Sequence, residues 1–256
     1  MKKQISTVLF ILLSLQTFAQ LPRVKNLTTF DDKKLHFGFT IGMNMMDYRL
    51  EHWSPIGANP AFVEKSWGNA DGHDIVMTDT VRADIPSLVP GLTVAIVTNL
   101  RLGEYFDLRF LPGLSFGERR LVYNVPIYDN NIGVEPLENY SIKATYIDLP
   151  VLVKYKSSRL NNQRPYLIGG GAMRIDISKT GVEDLIRPGK ADFFIEAGVG
   201  LDSYLRFFRF STELKVSLGL ADLIGNKIPD ETQRAYYTYA IKEMTSHIFT
   251  LSFHFE

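Results

Sequence analysis

The sequence predicts an all-β protein: a transmembrane, antiparallel, up-and-down β-barrel of eight strands with a side-chain-filled polar lumen. Three observations carry that expectation. First, strict period-2 alternation recurs in eight stretches, and such alternation is a strand signal. From Leu35 to Met45 the odd positions are Leu35, Phe37, Phe39, Ile41, Met43 and Met45, and the even ones are His36, Gly38, Thr40, Gly42 and Asn44. Second, the apolar set is large and aromatic, and the chain offers no helix-period segment to cover it. Third, the polar set carries charges of both signs. A closed barrel satisfies both sets by turning charge inward and hydrocarbon toward lipid.

Composition sets the outer bounds. The 256 residues fit one domain or at most two. The 28 basic and 28 acidic residues cancel, so no basic field points to nucleic acid. A chain that is 45% hydrophobic and 22% charged has an ordinary globular composition, as expected when barrel strands dilute apolar residues with polar ones. Cysteine is absent, which excludes disulfides, thiolate metal sites and thiol chemistry. It also removes the lipid-acceptor cysteine that an exported lipoprotein needs.

The elements follow in order along the chain. Residues 1–19 read as a signal peptide: Lys2 and Lys3 form its charged region, Ile5 to Leu15 its apolar region, and Thr17 and Ala19 flank the cleavage site around Phe18. The apolar stretch is shorter than the ~20 residues of a spanning helix. Residues 20–33 form a periplasmic lead-in, and residues 34–256 form the outer-membrane barrel. Strands are expected at 34–48, 88–102, 105–122, 140–156, 165–178, 191–205, 207–222 and 244–255. Most reach the ~9–11 residues that a tilted strand needs to cross a bilayer. The connections at 103–104, 157–164 and 205–206 are compact, whereas those at 49–87, 123–139, 179–190 and 223–243 are long. Outer-membrane barrels have short periplasmic turns and long outer loops, which makes 49–87 a long extracellular loop.

Alternation also assigns the faces. On the third strand Phe106, Leu108, Phe110, Leu114 and Phe116 oppose Asp107, Arg109, Ser115, Gly117 and Arg119. On the seventh, Phe208, Phe210, Leu214, Val216 and Leu218 oppose Arg209, Ser211, Glu213, Lys215 and Ser217. The polar faces of the fourth, fifth and sixth strands add Asp148 and Lys154, Arg174 and Asp176, and Glu196 and Asp202. A lipid-facing lysine or arginine at mid-membrane costs about 2–4 kcal/mol. Asp107, Arg109, Asp148, Lys154, Arg174, Asp176, Glu196, Asp202, Arg209, Glu213 and Lys215 are therefore expected to form a lumen charge network. An eight-stranded bore is narrow enough for side chains to fill, so the charges should pair as a plug. Gly169, Gly170, Gly171, Gly198 and Gly200 relieve crowding along the strands. Tyr105, Phe106, Tyr155, Tyr166, Tyr204, Phe207 and Phe208 lie beside the short turns and, with Phe253 and Phe255, suggest an interfacial aromatic girdle.

Motifs for chemistry are weak. His36, His52, His73, His247 and His254 lack metal-ligand spacing. Ser246 and His247 are adjacent, and neighbours on a strand point to opposite faces, so the pair does not form a nucleophile with its base. The glycines at 169–171 precede no lysine-serine and no helix, unlike a phosphate loop. No catalytic, cofactor-binding or metal-binding residues are expected. Trp53, Phe62 and Trp67 in the 49–87 loop serve either as partner anchors or as a lid over the barrel mouth. Arg159 and Arg164, in the longest short-side turn, are candidate contacts to a periplasmic component.

Five segments together resemble a known family: DDKKLHFGFT at 31–40, NLRLGEYFDLRFLPGLSF at 99–116, LVKYKSS at 152–158, RPYLIGGG at 164–171 and FTLSFHFE at 249–256. They are similar to the PorT family, outer-membrane β-barrels associated with the type IX secretion system. The RPYLIGGG type is shared with a wider barrel superfamily, and the block around Leu108 to Gly113 is narrower. The resemblance implies a non-enzymatic subunit needed for moving folded cargo across the outer membrane, and for gliding motility in some bacteria. It also implies other secretion-system components as partners beside outer-membrane lipid, and it offers no catalytic residues to transfer. Many outer-membrane barrels end in an aromatic residue; here Phe255 is followed by Glu256. The alternatives are a lipid-modifying barrel enzyme, a small-ligand-binding barrel of the lipocalin type and a small pore.

Overall fold

The computed structural model describes residues 25–62, 76–124, 140–178, 188–224 and 238–256. The leader at 1–19 and Trp67 lie outside the described residues. The strands are β1 (Leu35–His52), β2 (Ala83–Asp84), β3 (Pro90–Arg101), β4 (Phe106–Phe110), β5 (Gly113–Tyr123), β6 (Tyr140–Lys156), β7 (Gln163–Asp176), β8 (Ala191–Tyr204), β9 (Arg209–Gly219) and β10 (Ile241–Phe255). Each wall strand pairs antiparallel with its chain neighbours, and β1 pairs with both β3 and β10. The sheet therefore closes on itself and leaves no edge for lipid to meet.

The third expected strand is divided into β4 and β5. Both keep one register against β3, with Thr98 opposite Phe110 and Ala95 opposite Gly113. The interruption falls at Leu111 and Pro112 because proline has no N–H to give the ladder. The Ile96 amide still donates to the Pro112 carbonyl at 2.9 Å, so β4 and β5 are one wall strand and the ring has eight positions. β2 is a two-residue addition to the end of β5, pairing Ala83 with Tyr123.

Alternation sorts the side chains by depth. Phe37 is 63% exposed on the outer wall, Ile96 60% and Leu214 58%. Arg109 and Asp202 are completely buried inside. Toward the long-loop end the arrangement inverts. The outward positions of β1 become Asp47, Arg49 and Glu51, and those of β6 and β10 include Lys143 and Glu243. The inward positions become Tyr48, Leu121, Tyr123 and Met244, which pack with Ile56, Phe62, Val81, Leu223, Ile224 and Ala240 from the loops. Met46, Ala144, Tyr146, Ala172, Phe194 and Ile248 form the apolar layer between the two regimes.

The lower storey has lipid-facing hydrocarbon around a polar interior, and the upper storey has a polar exterior around an apolar core. Geometry accounts for the division. The 18 residues of β1 rise ~45 Å along the axis at ~3.3 Å per residue and a ~40° tilt. A barrel's apolar band is only ~25 Å tall. The remainder stands in water and follows the rules of a soluble fold.

Residues 25–34 take in the described part of the expected lead-in and lie against the barrel. They cross the short-turn mouth as a strap containing a 3-10 turn at Phe30–Asp32, and the strap is held there by side chains of the turns and strand ends.

Candidate functional site

The interior charges are arranged in layers along the axis. Lys156 pairs with Asp107 at 2.6 Å near the short-turn end. Above it the Lys154 ammonium donates to both Asp202 oxygens at 2.7 Å, and Ser211 donates to the same carboxylate at 2.6 Å. Arg209 lies 3.8 Å from Asp202 and pairs closely with Glu256. In the next layer Glu213 accepts from Arg109 and from the Tyr166 hydroxyl, both at 2.8 Å, and lies 3.4 Å from His254 Nε2. His254 Nδ1 is hydrogen-bonded to Thr40 at 2.7 Å. Arg174 then bridges Asp148 at 3.0 Å and Glu196 at 2.7 Å, while Lys215 reaches Glu196 at 2.7 Å. At the top Arg119 donates to the Tyr146 hydroxyl at 3.0 Å and to Ser246 at 2.7 Å. Its guanidinium stacks 4.0 Å from the Tyr48 ring centroid. Asp176 sits at the long-loop rim, where it accepts the Ser178 amide at 2.8 Å.

Such pairs do little for net stability beside an apolar core of equal volume, but stranding one partner is costly. Their consequence here is occupancy, because the bore is filled by side chains that hold one another. A cavity of about 30 Å³ remains among Thr40, Ser115, Asp148, Arg174, Lys215 and His254. That volume holds one or two water molecules and no larger ligand.

Sequence reasoning missed several members of this network, Asp31, Asn99, Lys156, Tyr166, His254 and Glu256, and it placed Arg119 on the polar face without joining it to the network. Lys156 and Tyr166 share the parity of the inward Lys154 and Arg174 on their strands, and Asn99, His254 and Glu256 continue the polar alternation of β3 and β10, so the signal was present. Glu256 is the clearest case. It continues the series Ser252, His254, its side chain is fully buried, and Asn99 donates to it at 3.1 Å. The girdle is narrower than expected, since Tyr166 and Tyr204 face inward and are almost fully buried. Gly200 makes room for one of them: a Cβ there would lie 2.2 Å from the Tyr166 ring. The outward aromatics form pairs, including Phe39 with Phe255 at 4.7 Å and Phe106 with Tyr155 at 5.1 Å.

The two mouths are also closed. At the long-loop end Phe62 is buried in the upper core and meets Tyr239 edge-on at 6.2 Å. Trp53 is half-buried and donates its amide to the Ala240 carbonyl at 2.9 Å. At the short-turn end the two arginines named as candidate contacts to a periplasmic component, Arg159 and Arg164, make contacts within the chain. Arg164 is buried, donates to the carbonyls of Ser157 at 2.6 Å and Glu104 at 2.8 Å, and lies 3.4 Å from Asp31. Arg159 donates to the carbonyls of Asn26 and Leu27 and stacks 3.6 Å from the Tyr204 ring centroid. Both are engaged because Arg159 lies within reach of the strap's carbonyls and Arg164 within reach of its Asp31 carboxylate. Ser246 faces inward toward Arg119, and His247 takes the opposite parity on β10.

A family model described as an outer membrane protein beta-barrel domain matches residues 18–225. No curated protein matches the chain. Among solved structures the chain is similar to the crystal structure of the N-terminal β-barrel domain of Pseudomonas aeruginosa OprF. The sequences are 11% identical, the match covers 84% of this chain and 97% of that one, and the TM-score is 0.33.

Proposed function

The chain belongs to the outer membrane protein β-barrel domain family, and from that premise we propose that it is a non-enzymatic, non-conducting subunit needed for type IX protein secretion. In this reading it acts through partner contacts at its loops or turns. The observation that carries the proposal is the filled interior: paired charges occupy the bore, an apolar core occupies the upper storey, and a strap crosses the lower mouth. A barrel so occupied has only its outer surfaces and its ends to offer. The similarity of its motifs to the PorT family supplies the secretion context, including gliding motility where the same machinery drives it.

The other readings have less support. A lipocalin-type carrier needs its apolar face inside, whereas Phe110 and Leu214 face outward and Arg109 and Glu213 inward. A lipid-modifying enzyme needs a nucleophile beside its base, and Ser246 and His247 lie on opposite faces of β10. Deletion of the gene tests the secretion role. Surface delivery of cargo proteins should be lost and should return with the unaltered gene on a plasmid; normal delivery without the gene defeats the proposal.

A further inference from the structure

At the short-turn mouth four arginines converge on the strap. Arg101 and Arg159 donate to its carbonyls, at Asp31 in the first case and at Asn26 and Leu27 in the second. Arg164 and Arg209 lie 3.4 and 3.9 Å from the Asp31 carboxylate. That carboxylate also accepts the Tyr204 hydroxyl at 2.9 Å. Asn162 receives the amides of Lys25 and Asn26 at 3.2 and 3.1 Å. The single aromatic anchor is Phe30, stacked 4.2 Å from the His36 ring and 4.8 Å from the Arg209 guanidinium.

We infer that the strap is a built-in occupant of a receptor site for an acidic segment of a partner protein. Three features of the contact argue for exchange. Most of the strap's hydrogen bonds to the mouth use its main chain, so they recognise a backbone more than a particular sequence. The charges are poorly matched: the strap brings one carboxylate, Asp31, to the arginines, while Asp32 is exposed and Lys25, Lys33 and Lys34 add positive charge. A segment with carboxylates at those positions complements the mouth better. The strap is also strained, because Leu27 holds a left-handed φ of 47° without being glycine. Displacing it relieves that strain and leaves Arg101 and Arg159 open to the incoming carboxylates. The inference rests on the barrel and its strap and does not require the secretion role.

The test uses the purified barrel in neutral-lipid nanodiscs and two fluorescein-labelled peptides. One copies residues 25–34, and the other is the same peptide with K25E, K33E and K34E. Unlatching the strap with F30A and D31N, both outside the wall, should tighten binding of the acidic peptide about tenfold by raising the open fraction. The acidic peptide should bind more tightly than the native-charge one, and R101Q with R159Q in the unlatched barrel should abolish the difference. The cysteine-free chain also permits N26C with N162C, which should block binding until reductant is added. Three results overturn the inference: no peptide binding to the unlatched barrel, equal binding of the two peptides, or binding indifferent to the arginine substitutions. If phosphatidylglycerol vesicles occupy the unlatched mouth and the acidic peptide does not, the site is a lipid contact and the inference also fails.

Discussion

At the residue scale, Lys154 illustrates how charges survive inside this barrel. Its ammonium reaches both oxygens of Asp202 and lies 3.7 Å from the Tyr166 ring centroid. The barrel wall and the layers above and below exclude bulk water from both partners. Lys154→Ala alone strands the Asp202 carboxylate beside Ser211 and Arg209, and should destabilise the barrel by about 3–5 kcal/mol. Lys154→Met combined with Asp202→Leu removes both charges at similar volume and should cost less than either single change. Urea unfolding in lipid vesicles, followed by tryptophan fluorescence, measures all three. A double substitution as damaging as the sum of the singles would show that the two residues act separately. Parity made Lys154 and Asp202 legible as inward residues in the sequence, but their partnership was not, because a pairing across the bore depends on strand register.

At the element scale, the strands obey two environments in succession. The first strand was expected to end at 48, yet β1 continues to His52. The last was expected to begin at 244, yet β10 begins at Ile241. Both errors have one cause. Where the wall leaves the bilayer, apolar residues pass from the outer parity to the inner one, and alternation followed on one face reads the inversion as an ending. The seventh strand errs the other way, since β9 is confined to Arg209–Gly219 and its aromatic flank at Phe207 and Phe208 belongs to the turn. The strap was not legible at all, because a short polar segment has neither periodicity nor a core of its own. The boundary between storeys can be located by substitution. Ile96→Arg on the lower outer wall should cost about 2–4 kcal/mol. Glu243→Arg on the upper outer wall faces water opposite Glu51 and should shift stability by less than about 0.5 kcal/mol. Equal costs at the two positions, measured by the same unfolding assay, would place both in one environment.

At the scale of the whole molecule, closure is distributed over obstacles in series. An ion entering from the short-turn end meets the strap, then the pairs around Asp202 and Glu213, then Arg174 between Asp148 and Glu196, then Arg119. Beyond them lies the largely apolar upper core, which opposes a permeating ion by the cost of desolvation. The ~30 Å³ cavity lies between the Glu213 and Arg174 layers, and its lining reaches neither Asp202 below nor Arg119 above. The unaltered barrel in a planar bilayer should therefore pass no more current than bare lipid. Because the obstacles are in series, removing one should not open it: F30A with D31N frees the lower mouth and should leave the bilayer silent. Conductance should require loss of the middle and upper layers together, as in Arg174→Ala and Glu196→Ala combined with truncation of the upper core at Phe62 and Met244. Discrete current steps from the unaltered protein would contradict this account and return the small pore to consideration. Steps from the strap variant alone would instead make the lower mouth the gate of a bore that the remaining layers fail to fill.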